Sequence, residues 1–352
     1  MRRFVRFVNL IVTFNVALNI VAGLAHAHHS QAGIFDSRKT IEISGVIKSV
    51  SWRNPHGQIL LSVKDEKGAE TVWDAETASI SILRNRGVDG NSVHVGDRIT
   101  IAGSPSMRNR PEILARNVLL PNDYEFTFGS DSAYFPAGKA GRLIGATKVV
   151  ANVTAAKAKA DGLFRVWSTI MSDPAAFPMF KGGYPMTDAG RAGLAKWNPR
   201  DNSLLKCGTK GTPLIMISPI PMEFIKKGDT IVLRLEEYDS VRTIHMNPKD
   251  AAPAKQTLFG FSRGRWEGTI LIVETDHIAA GYFDHLGMPQ SEQIKTVERF
   301  IPNADYSRLD YTLTTTDPVN FTKPFELKRY FVWKPENTVH PYECLDRFKP
   351  GQ

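Results

Sequence analysis

The sequence predicts a mainly β protein: an N-terminal OB-like small barrel and a C-terminal antiparallel, lipocalin-like β-barrel, joined by a mixed or irregular connecting region. Three observations predict it. Apolar and polar residues alternate with period two through TIEISGVIKSVSW and QILLSVKD, as half-buried strands require. A single short helical stretch, SISILRNRG, interrupts the strand-like runs before residue 121. Beyond Cys207 one strand-like run follows another, with Gly, Pro and Asn at the joints.

The chain opens with a targeting pattern. Arg2, Arg3 and Arg6 precede an apolar run from Phe7 to Gly23, and Ala25-His26-Ala27 supplies the small–x–small site that signal peptidase cuts behind. The run is short for a membrane span of roughly 20 residues. Residues 1–27 are therefore expected to be a signal peptide, the mature chain to begin at His28, and the protein to be periplasmic or secreted.

Residues 28–121 form the expected OB-like unit. After the loop Arg53-Asn54-Pro55-His56-Gly57 come QILLSVKD, a Lys67-Gly68 turn and ETVWDAE. The helical stretch ends at Gly87, where a glycine C-cap is expected. DRITIAGSPS and EILARNVLL complete the strand–strand–strand–helix–strand–strand order of a five-stranded OB barrel.

Residues 122–206 connect the two barrels. KVVANVTAAKAKADG reads as a helix, and Thr187 as the N-cap of another that Asn198-Pro199 stops. Residues 207–352 hold the second barrel, with candidate strands TPLIMIS, PMEFI, DTIVLRLEEYD, VRTIHM, TILIVETD, QIKTVERF, SRLDYTLTTT and FELKRYFVW. A barrel of about eight strands is just wide enough to hold one small ligand.

Composition narrows the function classes. With 42% hydrophobic and 23% charged residues the chain is ordinary and globular, and no later segment is apolar enough to cross a membrane. The formal charge of +8 includes three arginines of the leader, and the rest is spread rather than clustered. A nucleic-acid partner would want a basic stripe, so none is expected. A phosphate-cradling glycine loop, a GxSxG elbow, an HExxH helix and a CxxC pair are all missing, which excludes nucleotide and zinc-peptidase chemistry. The two cysteines, Cys207 and Cys344, are expected to form one disulfide in an oxidising compartment, the alternative being two separate buried thiols.

Two resemblances add to this reading. His28-His29-Ser30, ISGVIKSVSW, Asn54-Pro55-His56 and Trp73 followed by Glu76 resemble the DUF6152 family of exported bacterial proteins, over roughly residues 28–121. The C-terminal half looks like an uncharacterised β domain of exported bacterial proteins. It carries PMEFI, LRLEEYDSVRTIHM, GRWEGTILIVET, GYFDHLGMPQSEQIKTVERF and Tyr342-Glu343-Cys344, with Gln290 where that pattern more often has His. Neither resemblance implies an activity.

Two constellations remain. A terminal His28 offers an amine and an imidazole to Cu(II), with His29 or His56 as a further ligand. An exposed His-His pair also binds copper adventitiously, and His56 also fits a turn cap. In the C-terminal barrel, alternation groups Glu298 with Ile294 and Phe300, Glu274 with Ile270 and Ile272, Arg329 with Leu327 and Phe331, and Arg242 with Ile244 and Met246. His245 falls with Val241 and Thr243, while Asp284 and His285 sit in a loop expected at the barrel mouth. Inward carboxylates in an apolar cavity would act as general acid or base beside an inward Arg. The same residues equally fit structural ion pairs such as Arg242–Glu274 or Arg329–Glu298, and a one-residue register slip inverts the faces. Trp266 fits a plug at the closed end, or core packing. The expected function is binding of a small, largely apolar organic molecule, with cofactor-independent lyase, isomerase or hydratase chemistry if catalytic. The alternatives are a copper-binding protein and a structural envelope or interaction module.

Overall fold

In the computed structural model the first strand, β1 (Ile41–Ser51), pairs on both edges, and a closed ring grows from it. The structure describes residues 34–85, 88, 90–127, 134–136, 139–140, 146–171, 173–178, 183–198, 207–284, 286–342 and 344. Strands β2 (Gln58–Lys64) and β3 (Glu70–Glu76) follow β1 antiparallel. After helix α1 (Ile80–Asn85), β4 (Arg98–Pro105) returns to the free edge of β1, and β5 (Glu112–Leu119) pairs antiparallel with β4 and parallel with β3. That closes five strands in the expected OB order. Ile47, Ile59, Leu61, Ile99, Ile101 and Val118 fill the ring, each at 1% exposure or less, so the alternation read in the sequence is the alternation of core and solvent. Strands β6 (Tyr124–Thr127) and β7 (Lys139–Ala140) extend the sheet beyond β5.

The connecting region supplies helix α2 (Ala146–Lys159), a short strand β8 (Val166–Ser168) and helix α3 (Asp188–Ala195). Thr187 caps α3 as expected, its Oγ1 accepting the Gly190 N–H at 3.0 Å.

The second ring has nine strands. Strands β9 (Met222–Lys227), β10 (Thr230–Leu235), β11 (Ser240–His245), β12 (Phe261–Glu267) and β13 (Ile270–Asp276) run in order. A small hairpin of β14 (Gly281–Tyr282) and β15 (Pro289–Gln290) stands apart. The ring continues through β16 (Lys295–Pro302), β17 (Arg308–Thr316) and β18 (Phe325–Trp333), then closes through β8 onto β9. Every pairing is antiparallel except β11 with β12, which is parallel.

Three details differ from the sequence expectation. One stave, β8, comes from the connecting region rather than from the chain after Cys207. TPLIMIS forms a 3₁₀ turn over Leu214–Ile217, not a strand; Pro213 and Pro219 bracket it, and all four turn residues are buried, so no alternation marks it. The Phe261–Glu267 strand was not among the candidates, because its Arg, Gly and Glu hide the period.

The inside of this barrel is a packed core. Trp167, Phe224, Leu233, Leu271, Phe300 and Leu313 are each at 1% exposure or less and belong to one continuous cluster. Among the described residues, no helix is long and apolar enough to cross a membrane.

Candidate functional site

Arg242 and Glu298 both face into the second barrel and meet there. β11 buries every second residue, Ser240, Arg242 and Ile244; β16 buries Thr296, Glu298 and Phe300. The guanidinium forks onto the carboxylate at 3.1 Å (Nη1 to Oε1) and 2.6 Å (Nη2 to Oε2), and the Tyr311 hydroxyl donates to Oε1 at 2.8 Å. Nη2 also lies 3.3 Å from the Ser262 hydroxyl and 3.4 Å from that of Thr275. Burial opposes the Arg242 charge, and the Glu298 carboxylate overcomes it, so the guanidinium stays protonated. Burial and the same carboxylate push the Tyr311 hydroxyl well above its ordinary range. Both carboxylate oxygens are engaged, and neither partner reaches solvent: Arg242 is 1% exposed and Glu298 0%. This is a bidentate, desolvated pair that fixes β11 to β16 through the core.

The other inward candidates fare differently. Glu274 points outward and is exposed, paired with Arg265. Leu271, Ile272 and Val273 are all buried, so the apolar run carries no alternation from which its inner face could be read. His245 also faces out: its Nδ1 lies 2.8 Å from Asp250 Oδ2, and its ring stacks on Phe261 at 4.4 Å. Arg329 is inward but does not meet Glu298. Its Nη1 donates to the carbonyls of Met216 (2.9 Å) and Ser218 (3.4 Å) at the end of the 3₁₀ turn, and its Nη2 to Thr169 Oγ1 at 2.7 Å. Burial lowers its pKa to about 10. The turn's C-terminal carbonyls supply the negative pole it lacks elsewhere.

The loop expected at the barrel mouth closes that end instead. Asp284 is 1% exposed and accepts from the Tyr184 hydroxyl (2.6 Å) and from the backbone N–H groups of Leu286 and Met288, both 2.9 Å. Burial and then Asp284 raise the Tyr184 hydroxyl far above its ordinary range. Phe283 and Met288 are fully buried in the barrel core. His285 lies outside the described residues.

The open end is at the other end of β13. There a groove of about 610 Å³ is lined by Phe164, Ile231, Met246, Pro248, Gly264 and Trp266, with Lys226, Asp229 and Arg265 also in its walls. Trp266 is 42% exposed and meets Phe164 edge-on at 6.3 Å, so it lines a mouth rather than plugging one. Gly264 makes the room. It occupies an inward-facing position of β12, and a Cβ there would stand 2.5 Å from Met246 Sδ and 2.7 Å from Ile244 Cγ2. The sequence places Met246 on the Arg242 face and Trp266 at a barrel end or in the core, and assigns none of these residues to a groove. A glycine inside a strand is the signal that marks such a close approach.

In the first barrel, His56 Nδ1 lies 3.3 Å from the Thr77 carbonyl and 3.5 Å from Glu76 Oε1. Asn54, fully buried beside it, donates through Nδ2 to the Tyr342 carbonyl at 2.8 Å. Trp73 packs against the core of the same ring. Residues 17–113 match the model of a family of unknown function, DUF6152. The DUF6152 match ends within β5 and leaves the whole second barrel outside it. No curated protein matches the chain.

The loop Asn54-Pro55-His56, within the matched residues, meets the second barrel at a seam. Asn54 forms a parallel bridge with Cys344, and Cys344 is bonded to Cys207, with Cα atoms 5.9 Å apart. The Tyr342 ring meets that of Tyr238 at a tilt, centroids 4.8 Å apart; the Tyr342 N–H donates to Asp239 Oδ1 at 3.1 Å, and the His340 N–H donates to Glu236 Oε2 at 3.0 Å. Tyr238 and Asp239 both take positive φ, 57° and 50°, turning the chain sharply between β10 and β11. Glu236 is 1% exposed, and burial raises its pKa. Thus LEEYDS, Tyr342 with Cys344, and Asn54-Pro55-His56, far apart in sequence, gather at one place. Of the copper ligands expected here, His28 and His29 lie outside the described residues, and His56 is engaged by protein groups. Among the described residues, no three of His, Cys, Asp and Glu gather as a metal site.

Proposed function

We propose that this is an exported binding protein that takes a small, largely apolar organic molecule at the open mouth of its second barrel. The observation that carries the reading is the groove around Trp266: a concavity of about 610 Å³, apolar in body with a few charged groups in its walls. Ligand sites are commonly of this size and character. The barrel interior is filled by packed side chains, so the mouth is the part left for a ligand. The Cys207–Cys344 bond supports export to an oxidising compartment.

Binding fits better than acid–base turnover. Glu298 has both oxygens occupied, Arg242 is tied to it, and neither borders the groove. Glu274 and His245 lie on the outer wall.

The test is a titration with 1-anilinonaphthalene-8-sulfonate, an apolar fluorophore, on the full protein and on Trp266→Ala. We expect saturable binding to one site, weakened at least tenfold by the substitution at unchanged melting temperature. Equal affinity in both proteins would remove the groove from consideration.

A further inference from the structure

The groove's wall narrows the class of its ligand, and this step rests on the binding reading above. That wall is a strand edge. β11 and β12 are in register only at Ile244 with Ser262 and His245 with Arg263. Beyond His245 the pairing with β12 stops, while the chain keeps to the β10 side, the Met246 N–H donating to the Asp229 carbonyl at 3.0 Å in the β9–β10 turn. β12 runs on from Gly264 to Glu267 with β13 as its sole neighbour among the described strands.

The direction of the unpaired groups follows from the hairpin. Two residues, Gly268 and Thr269, separate Glu267 from Ile270, so these two exchange hydrogen bonds across the turn. Along an antiparallel pair, bonded and non-bonded positions alternate. Trp266 is therefore a non-bonded position, and its N–H and C=O point away from β13, into the gap left by β11. No backbone partner meets them among the described residues. The side chain of the same residue lines the groove. One residue thus offers an apolar wall and a free pair of backbone hydrogen-bonding groups.

Charge adds a third condition. Lys226 lines the groove, Lys227 follows it, and Lys249 follows the groove residue Pro248; none has an acidic partner among the described residues. Arg263 and Arg265, by contrast, are matched by Asp276, Glu267 and Glu274. The rim is left net positive against Asp229.

We propose that the ligand is an extended peptide segment, apolar where it lies in the groove and acidic at its flank, which adds as a strand to the free edge of β12. Strand addition supplies affinity through main-chain bonds and selectivity through alternate side chains. An open edge left without such a partner is a liability that a protein ordinarily covers.

The probe is acetyl-Glu-Val-Phe-Val-Glu-amide, titrated calorimetrically into the full protein. Two analogues carry N-methyl groups on alternate amides, one on each phase of the strand. The peptide is expected to bind, to compete with anilinonaphthalene sulfonate, and to lose at least tenfold in affinity when one phase is methylated but not the other. Slowed hydrogen exchange at the Trp266 amide is the accompanying signature. If both analogues bind like the parent, the groove recognises apolar surface alone, and strand addition is wrong while the small-molecule reading stands. If the dye binds and the peptide does not, strand addition is likewise overturned. If neither binds, both readings fall.

Discussion

The side-chain amide of Asn54, in the first barrel, donates to the backbone carbonyl of Tyr342, two residues before the cysteine that closes the second. A buried bond at 2.8 Å between residues 288 positions apart ties a loop of one ring to the last described segment of the other. It sits beside the disulfide, so covalent and polar ties act on one segment.

The Cys207–Cys344 bond encloses a separation of 137 residues. In the chain-entropy model a loop of that length stabilises by about 5 kcal/mol. Cys207→Ser with Cys344→Ser should lower the unfolding free energy by several kcal/mol in urea titrations. A loss under about 1 kcal/mol would mean that the segment holds without its covalent tie.

Removing one member of the Arg242–Glu298 pair leaves a buried charge without its partner. Glu298→Leu and Arg242→Met should each cost about 3–5 kcal/mol. The double variant Arg242→Met with Glu298→Leu should cost less than the two singles together, because no charge is stranded. Denaturation of the three proteins checks this, and additive costs would contradict it.

Two seam groups should tilt the pH dependence in opposite senses. Burial first, then Arg84 and Arg234, hold the His340 imidazole below its ordinary 6.5. Its contribution is present above that value and lost as pH falls through the lowered folded pKa. Glu236 is raised above its ordinary 4.5 by burial, so its contribution is present below 4.5 and lost as pH rises through the raised value. Glu236→Gln should therefore gain stability relative to the parent on going from pH 4 to pH 7. His340→Asn should flatten the parent's decline between pH 7 and pH 5. Neither slope can exceed one proton, about 1.4 kcal/mol per pH unit. Urea midpoints across that range test both, and curves parallel to the parent would show that the seam does not titrate.

Much of this architecture was legible where only one face of a strand is buried. The OB order followed from alternation in β1 and β2, and the inward phase of Arg242 and Glu298 from their apolar neighbours at two-residue spacing. Glu274 was misplaced because Leu271, Ile272 and Val273 are buried alike, which erases the period. The partner of Arg242 is set by which strands neighbour one another in the ring, and no single run of sequence encodes that. The groove was missed for a related reason. Its lining comes from β9, β10, β12, the β9–β10 turn, the residues after β11 and Phe164 before β8, each contributing one to three residues of ordinary type.

The short strand β8 has a consequence for how this architecture can be inherited. Trp167 sits opposite both Trp333 and Met222, bridging the two ends of an otherwise continuous run of staves. A gene fragment starting at Cys207 would encode a ring with a slot, its β9 and β18 exposed to pair with any passing chain. Recombination between relatives would have to cut upstream of β8 to carry all nine staves. The portable unit of this protein is thus longer than the stretch its cysteines mark out.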